Sequence, residues 1–209
     1  MKLDKNITAT ILMLLCGSLI ALAINVATTF DIQAQGRESF NHKQKIVSST
    51  EKQFFYDLGK RESSDNYKAE NTFGYIGKYQ FGEESLMLIG YYKKDNTSKN
   101  DWKGEWTGKD GIYSKSNFLN TPTTQDKAVA ELAAINWNFA QKKGLRKYIG
   151  TRVNGVPITK SGIVAGMHLL GPKRVINFVV HGKNSKDGYG TDVKEYMIKF
   201  SGHDKASFA

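Results

Sequence analysis

Arg61-Glu62-Ser63-Ser64-Asp65-Asn66-Tyr67-Lys68-Ala69-Glu70-Asn71-Thr72-Phe73-Gly74-Tyr75-Ile76-Gly77-Lys78-Tyr79-Gln80-Phe81 is the most informative stretch of the chain. Ahead of it, Ser49-Thr50-Glu51 suits a helix cap, and Phe54, Phe55 and Leu58 recur at helical spacing. Gly59 is a stop signal, so Glu62 falls just past that helix or on its last turn. From Ser63 to Gly82, Asn66, Asn71, Gly74, Gly77 and Gly82 sit among aromatics, a composition for turns and short extended pieces. A Gly-x-Tyr-Gln-Phe element closes the stretch, with Gln80 placed 18 residues after Glu62.

Toward the C-terminus the pattern becomes helical. Glu83 to Gly90 reads as a short helix, and residues 93–122 show no period despite Trp102 and Trp106, as in a binding loop or a mobile one. Thr123 or Thr124 caps a helix running to about Lys143, with Val129, Leu132, Ala133, Asn136 and Ala140 near one face. Val153-Asn154-Gly155-Val156 is a hairpin turn signal. Helices follow from Ser161 to Leu170, from Pro172 to Gly182, and from a Thr191 cap through Phe200. Six or seven helices and one small extended region predict a mainly α, α+β domain spanning 49–209.

Toward the N-terminus, Ile7 to Phe30 carries no formal charge and is flanked by Lys2 and Lys5, long enough as a helix to cross about 30 Å of hydrocarbon. Residues 1–34 are therefore expected to be a signal anchor or signal peptide and 35–48 a linker. That expectation places the domain outside the cytoplasm, at the periplasmic face of the membrane or secreted, with the membrane as a partner and nucleic acid not. Outside residues 1–30 the chain holds 28 basic and 19 acidic residues, net +9, which favours a polyanion, with nucleic acid, anionic lipid and an acidic cell wall all qualifying on charge alone. Apolar residues at 40% and only 3 prolines exclude collagen-like and wholly disordered chains. Cys16 is the single cysteine, which excludes an intramolecular disulfide and a thiol pair.

The Arg61–Phe81 segment resembles the opening of lysozyme-like superfamily domains, specifically soluble lytic transglycosylases and resuscitation-promoting factors. Those domains begin with Glu-Ser, an Asn-aromatic pair and Gly-x-x-Gly-x-x-Gln, matched here by Glu62-Ser63, Asn66-Tyr67 and Gly74 to Gln80. A weaker likeness to a prophage-associated and secreted branch of peptidoglycan hydrolases extends through 123–204, in Gly162 to Gly171 and Asp187 to Thr191. Gly166-Met167-His168 stands where better-known transglycosylases carry Asn-Ala-Gly. The resemblance implies a lysozyme-like helical domain that cleaves the MurNAc-GlcNAc strands of peptidoglycan, as a lytic transglycosylase or a muramidase. Glu62 would be the catalytic acid and base, and Tyr67, Tyr79, Gln80 and Tyr189 would contact the substrate.

Such chemistry needs one carboxyl that delivers a proton to the leaving oxygen as oxocarbenium charge builds. Tyr79 and Phe81 are the expected apolar walls around Glu62. A classical hydrolase also needs a second carboxylate; Asp65, Glu70 and Asp187 are available and none has a distinctive position. A lytic transglycosylase dispenses with it, because the muramyl C6 hydroxyl attacks instead. Trp102 and Trp106 suit either sugar stacking or packing, and His168 lies in an apolar helix where a hydrogen-bonded core role is expected. His42, His181 and His203 show no ligand spacing, so neither metal nor cofactor is expected. The alternative is a peptidoglycan-binding or secretion-apparatus protein that holds glycan on the same fold without cutting it.

Overall fold

The computed structural model describes residues 50–93 and 95–208, together with Arg37. The chain divides after Ile46, and the elements described belong to the second unit, Val47–Ala209. The expected export segment 1–34, and the linker 35–48 apart from Arg37, lie outside the described residues. Among the described residues no helix is long and apolar enough to cross a membrane.

Helix α1 covers 50–63. A turn-rich stretch follows, tied by single bridges of Ile76 to Glu70 and to Phe81. Then come α2 (Glu83–Leu88), α3 (Lys115–Leu119), α4 (Pro122–Lys142), α5 (Lys160–Leu170), α6 (Pro172–His181) and α7 (Val193–Lys199). Two antiparallel two-residue ribbons complete it: β1 (Tyr92–Lys93) with β2 (Glu105–Trp106), and β3 (Arg152–Val153) with β4 (Val156–Pro157). The domain is mainly helical with a minor β part, as its periodicity predicts. Asn154 and Gly155 both have positive φ, the geometry of a tight hairpin turn, and they join β3 to β4.

Helix α5 is the centre and packs against α4, α6 and α7. Its residues 161–167 are all buried, so no polar stripe is needed. Gly162 and Gly166 let α7 approach closely: a Cβ on Gly162 would lie 2.9 Å from the Met197 carbonyl oxygen. Phe54, Phe200 and Phe208 interlock edge to face beside α7, and Phe81 packs on Phe118. Each such fully buried ring stabilises the fold by roughly 1.5–3 kcal/mol.

Gly59 does not end α1. The helix continues to 63 because Gly59 is where the Lys78 side chain crosses; an added Cβ would sit 2.3 Å from Lys78 Cε. The stop comes at Ser64 and Asp65, with φ of 57° and 70°, where Asp65 N donates to the Gly59 carbonyl at 3.0 Å. Glu62 is therefore on the last turn. Helix α4 begins slightly earlier than its threonines suggest, with Pro122 in the first position after Thr121. Helix α7 is capped by Asp192 and not Thr191. The aperiodic 93–122 region still contains β2 and α3, organised by Trp102 stacked on Trp106 at 5.7 Å and by Phe118 beneath them.

Candidate functional site

The last turn of α1, loops 70–75, 98–101 and 187–191, the C-terminal part of α5 and Tyr196 of α7 enclose a groove of about 800 Å³. Glu62 lies in its wall, its side chain 15% exposed. The Tyr196 hydroxyl donates to Glu62 Oε1. Burial, reinforced by the charge of Glu62, pushes the Tyr196 phenol well above its usual range, so it remains a donor. His168 Nε2 stands 4.0 Å from the same oxygen and 2.8 Å from the Tyr79 carbonyl oxygen. A carbonyl only accepts, so Nε2 carries the proton and its N–H dipole lies beside the carboxyl. The Arg61 guanidinium sits 5.9 Å from the centre of the Tyr196 ring.

The turn after α1 is braced by Lys78. Its ammonium is buried and paired with Asp65 at 2.7 Å, and it donates to the Tyr67 hydroxyl at 3.1 Å. Burial pulls this ammonium down, and the bonds to Asp65 and Tyr67 outweigh it, leaving it above the usual lysine value. Its backbone holds both sides: Ser63 Oγ donates to the Lys78 carbonyl at 2.8 Å, and Lys78 N donates to Gln125 Oε1 at 2.8 Å. These bonds tie the segment bearing Glu62 to α4.

Two expected substrate contacts are placed elsewhere. The Tyr67 and Tyr79 hydroxyls both donate to Asp126, at 3.0 Å and 2.7 Å, and neither residue lines the groove. Tyr79 and Phe81 are core residues and not the walls of Glu62; the side chains found against that carboxyl are Tyr196 and His168. Tyr79 is buried with its hydroxyl on Asp126, and the next residue, Gln80, takes a left-handed φ of 49°. Gln80 itself lines the groove, its Nε2 donating to the Gly77 carbonyl at 2.9 Å. Trp102 and Trp106 pack and do not line it.

Tyr189 lines the groove and reaches across to the 70–75 loop. Its hydroxyl is 2.8 Å from Thr72 Oγ1 and its ring meets Phe73 edge-on at 4.7 Å. Phe73, Tyr75 and Tyr189 present exposed rings at this site. Loops 70–75 and 98–102 are joined by Trp102 Nε1 donating to the Gly74 carbonyl at 2.8 Å and Asn100 Nδ2 to the Phe73 carbonyl at 3.2 Å. Of the candidate second carboxylates, Asp65 is held by Lys78 outside the groove. Glu70 and Asp187 line it, but Glu70 pairs with Lys115 at 2.9 Å and Asp187 Oδ1 accepts from Tyr189 N and Thr191 N. Among the described residues no group of three or more His, Cys, Asp or Glu is arranged to hold a metal.

Tyr196 is the groove residue against Glu62 that sequence reasoning missed. Its faint signal is a hydroxyl on an otherwise apolar helical face with Val193, Met197 and Phe200, which requires a buried partner. Nothing local identifies that partner as Glu62, 134 residues away. A shielded carboxyl, fixed by a donor that stays protonated and opening on a groove, is equipped to give a proton to a ligand and to be stabilised afterwards as a carboxylate. Comparison with protein-family models, with curated proteins and with solved structures finds no match.

Proposed function

We propose that this protein cleaves the MurNAc-GlcNAc strands of bacterial peptidoglycan on a lysozyme-like domain, with Glu62 as its single general acid and base. The observation that carries this reading is the position of Glu62: a largely shielded carboxyl, bonded by Tyr196, in the wall of a groove of about 800 Å³. Exposed rings of Phe73, Tyr75 and Tyr189 suit the apolar faces of pyranoses, and the amide of Gln80 suits acetamido and hydroxyl groups. The motif from Glu62 to Gln80 supports the same class.

In this reaction Glu62 protonates the bridging oxygen, the glycosidic bond breaks and oxocarbenium charge develops on the sugar. Tyr196 holds the resulting carboxylate in place to take a proton from the attacking hydroxyl. Glu70 and Asp187 are each already engaged, which favours attack by the muramyl C6 hydroxyl and a 1,6-anhydro product over water-dependent hydrolysis. The uncharged run Ile7–Phe30 and the +9 charge of residues 31–209 fit a membrane-anchored or secreted enzyme gathered at an anionic wall.

Incubation with purified sacculi tests the reading. The unmodified protein should release soluble muropeptides with anhydro ends by mass spectrometry, and Glu62→Gln should release none while keeping the same melting temperature within a few degrees. Full turnover by Glu62→Gln, or binding by the unmodified protein without any release, overturns it.

A further inference from the structure

A second cleft, of about 630 Å³, shares Arg61 with the groove. Lys60, Arg61 and Lys199 line it with His203, above the buried ring of Phe200. Asp57 is its single carboxylate, and both oxygens are taken: Oδ1 accepts from Gln53 Nε2 at 3.0 Å and Oδ2 lies 3.2 Å from His203 Nε2. Among the described residues, Lys60, Arg61 and Lys199 make no ion pair. The cleft thus sets three permanent cations against one carboxylate that is already hydrogen-bonded, a net positive lining complementary to an anion.

We propose that this cleft binds carboxylate groups of the short peptides that branch from a glycan strand lying in the groove. The inference rests on the glycan reading of the groove. Arg61 makes the connection, because it borders both spaces next to Glu62 and its planar fork matches a carboxylate. The Tyr196 ring beneath the guanidinium limits its freedom. An anion attached to the strand gains from both sites at once, whereas a free polyanion contacts only the cations.

The test measures equilibrium binding by full-length protein carrying Glu62→Gln, so that the strands stay intact. Three probes are used: peptide-bearing glycan strands, the same strands stripped of peptide by an amidase, and poly(glycerol phosphate). Lys60→Gln with Lys199→Gln should weaken binding of peptide-bearing strands about tenfold and stripped strands less than twofold. Lys60→Arg with Lys199→Arg should restore it. A control pair, Lys142→Gln with Lys173→Gln, removes the same charge outside both clefts and should change neither by as much as twofold. Equal loss on stripped strands, equal loss from the control pair, no loss at all, or an equally large loss on the phosphate polymer overturns the proposal. Cleavage is read separately with unmodified protein, so the enzymatic reading can fail there while the binding ratios still decide for or against the cleft.

Discussion

Tyr196→Phe removes one hydroxyl and leaves the surrounding packing in place. The ring keeps its contact with Phe200 at 4.9 Å and its place beneath Arg61. What disappears is the hydrogen bond to Glu62 Oε1. His168 Nε2, 4.0 Å away, is too distant to replace it, and a side chain 15% exposed is poorly served by water. A hydrogen bond to a charged group contributes about 1.5–3 kcal/mol, and each 1.4 kcal/mol is tenfold, so turnover should fall by roughly ten- to a hundredfold. The bond matters most when Glu62 is ionised after proton delivery, so the loss should appear in kcat with KM nearly unchanged. The assay is the initial rate of muropeptide release from sacculi over a range of substrate, with thermal melting as the control for folding. Adding Tyr196→Phe to Glu62→Gln should cost nothing further, because the two act as a unit. A kcat within twofold of the unmodified protein would refute the role given to Tyr196.

Gly59→Ala should destabilise the domain by about 1–3 kcal/mol in urea titrations despite the better helix propensity of alanine, because the new methyl collides with the buried Lys78 chain. His168→Ala leaves the Tyr79 carbonyl without its partner and should lower stability by about 1–3 kcal/mol, with His168→Gln recovering part of it. Tyr79 and Tyr196 have phenols raised by burial and neighbouring carboxylates, so their contribution to stability is intact below the unfolded value of about pH 10. Above it, stability should fall by about 1.4 kcal/mol per pH unit for each, as the unfolded phenols ionise and the folded ones do not. Urea midpoints on either side of that pH, read with phenolate absorbance, check this; a flat profile contradicts it.

The long helices were legible because their signals are local. Pro172 and Gly182 bracket α6, and Asn154-Gly155 marks the β3–β4 turn wherever it occurs. Gly59 misled for an equally physical reason: a glycine serves both to stop a helix and to admit a neighbour, and only the path of Lys78 distinguishes the two. Short elements such as α3 and β2 carry no period of their own and depend on aromatic packing between Trp102, Trp106 and Phe118.

By composition and periodicity alone the chain determined a mainly helical domain, a carboxyl on the last turn of α1 or just past it, and a turn-rich segment after it, since all three depend on neighbours a few residues apart. Which side chains meet that carboxyl was decided by tertiary structure. Tyr79, 17 positions from Glu62, turns into the core toward Asp126, while Tyr196, 134 positions away, arrives against it on α7. The reason is that a buried polar group must find its partner wherever the packing of α5 and α7 delivers one, and that packing is a property of the whole core.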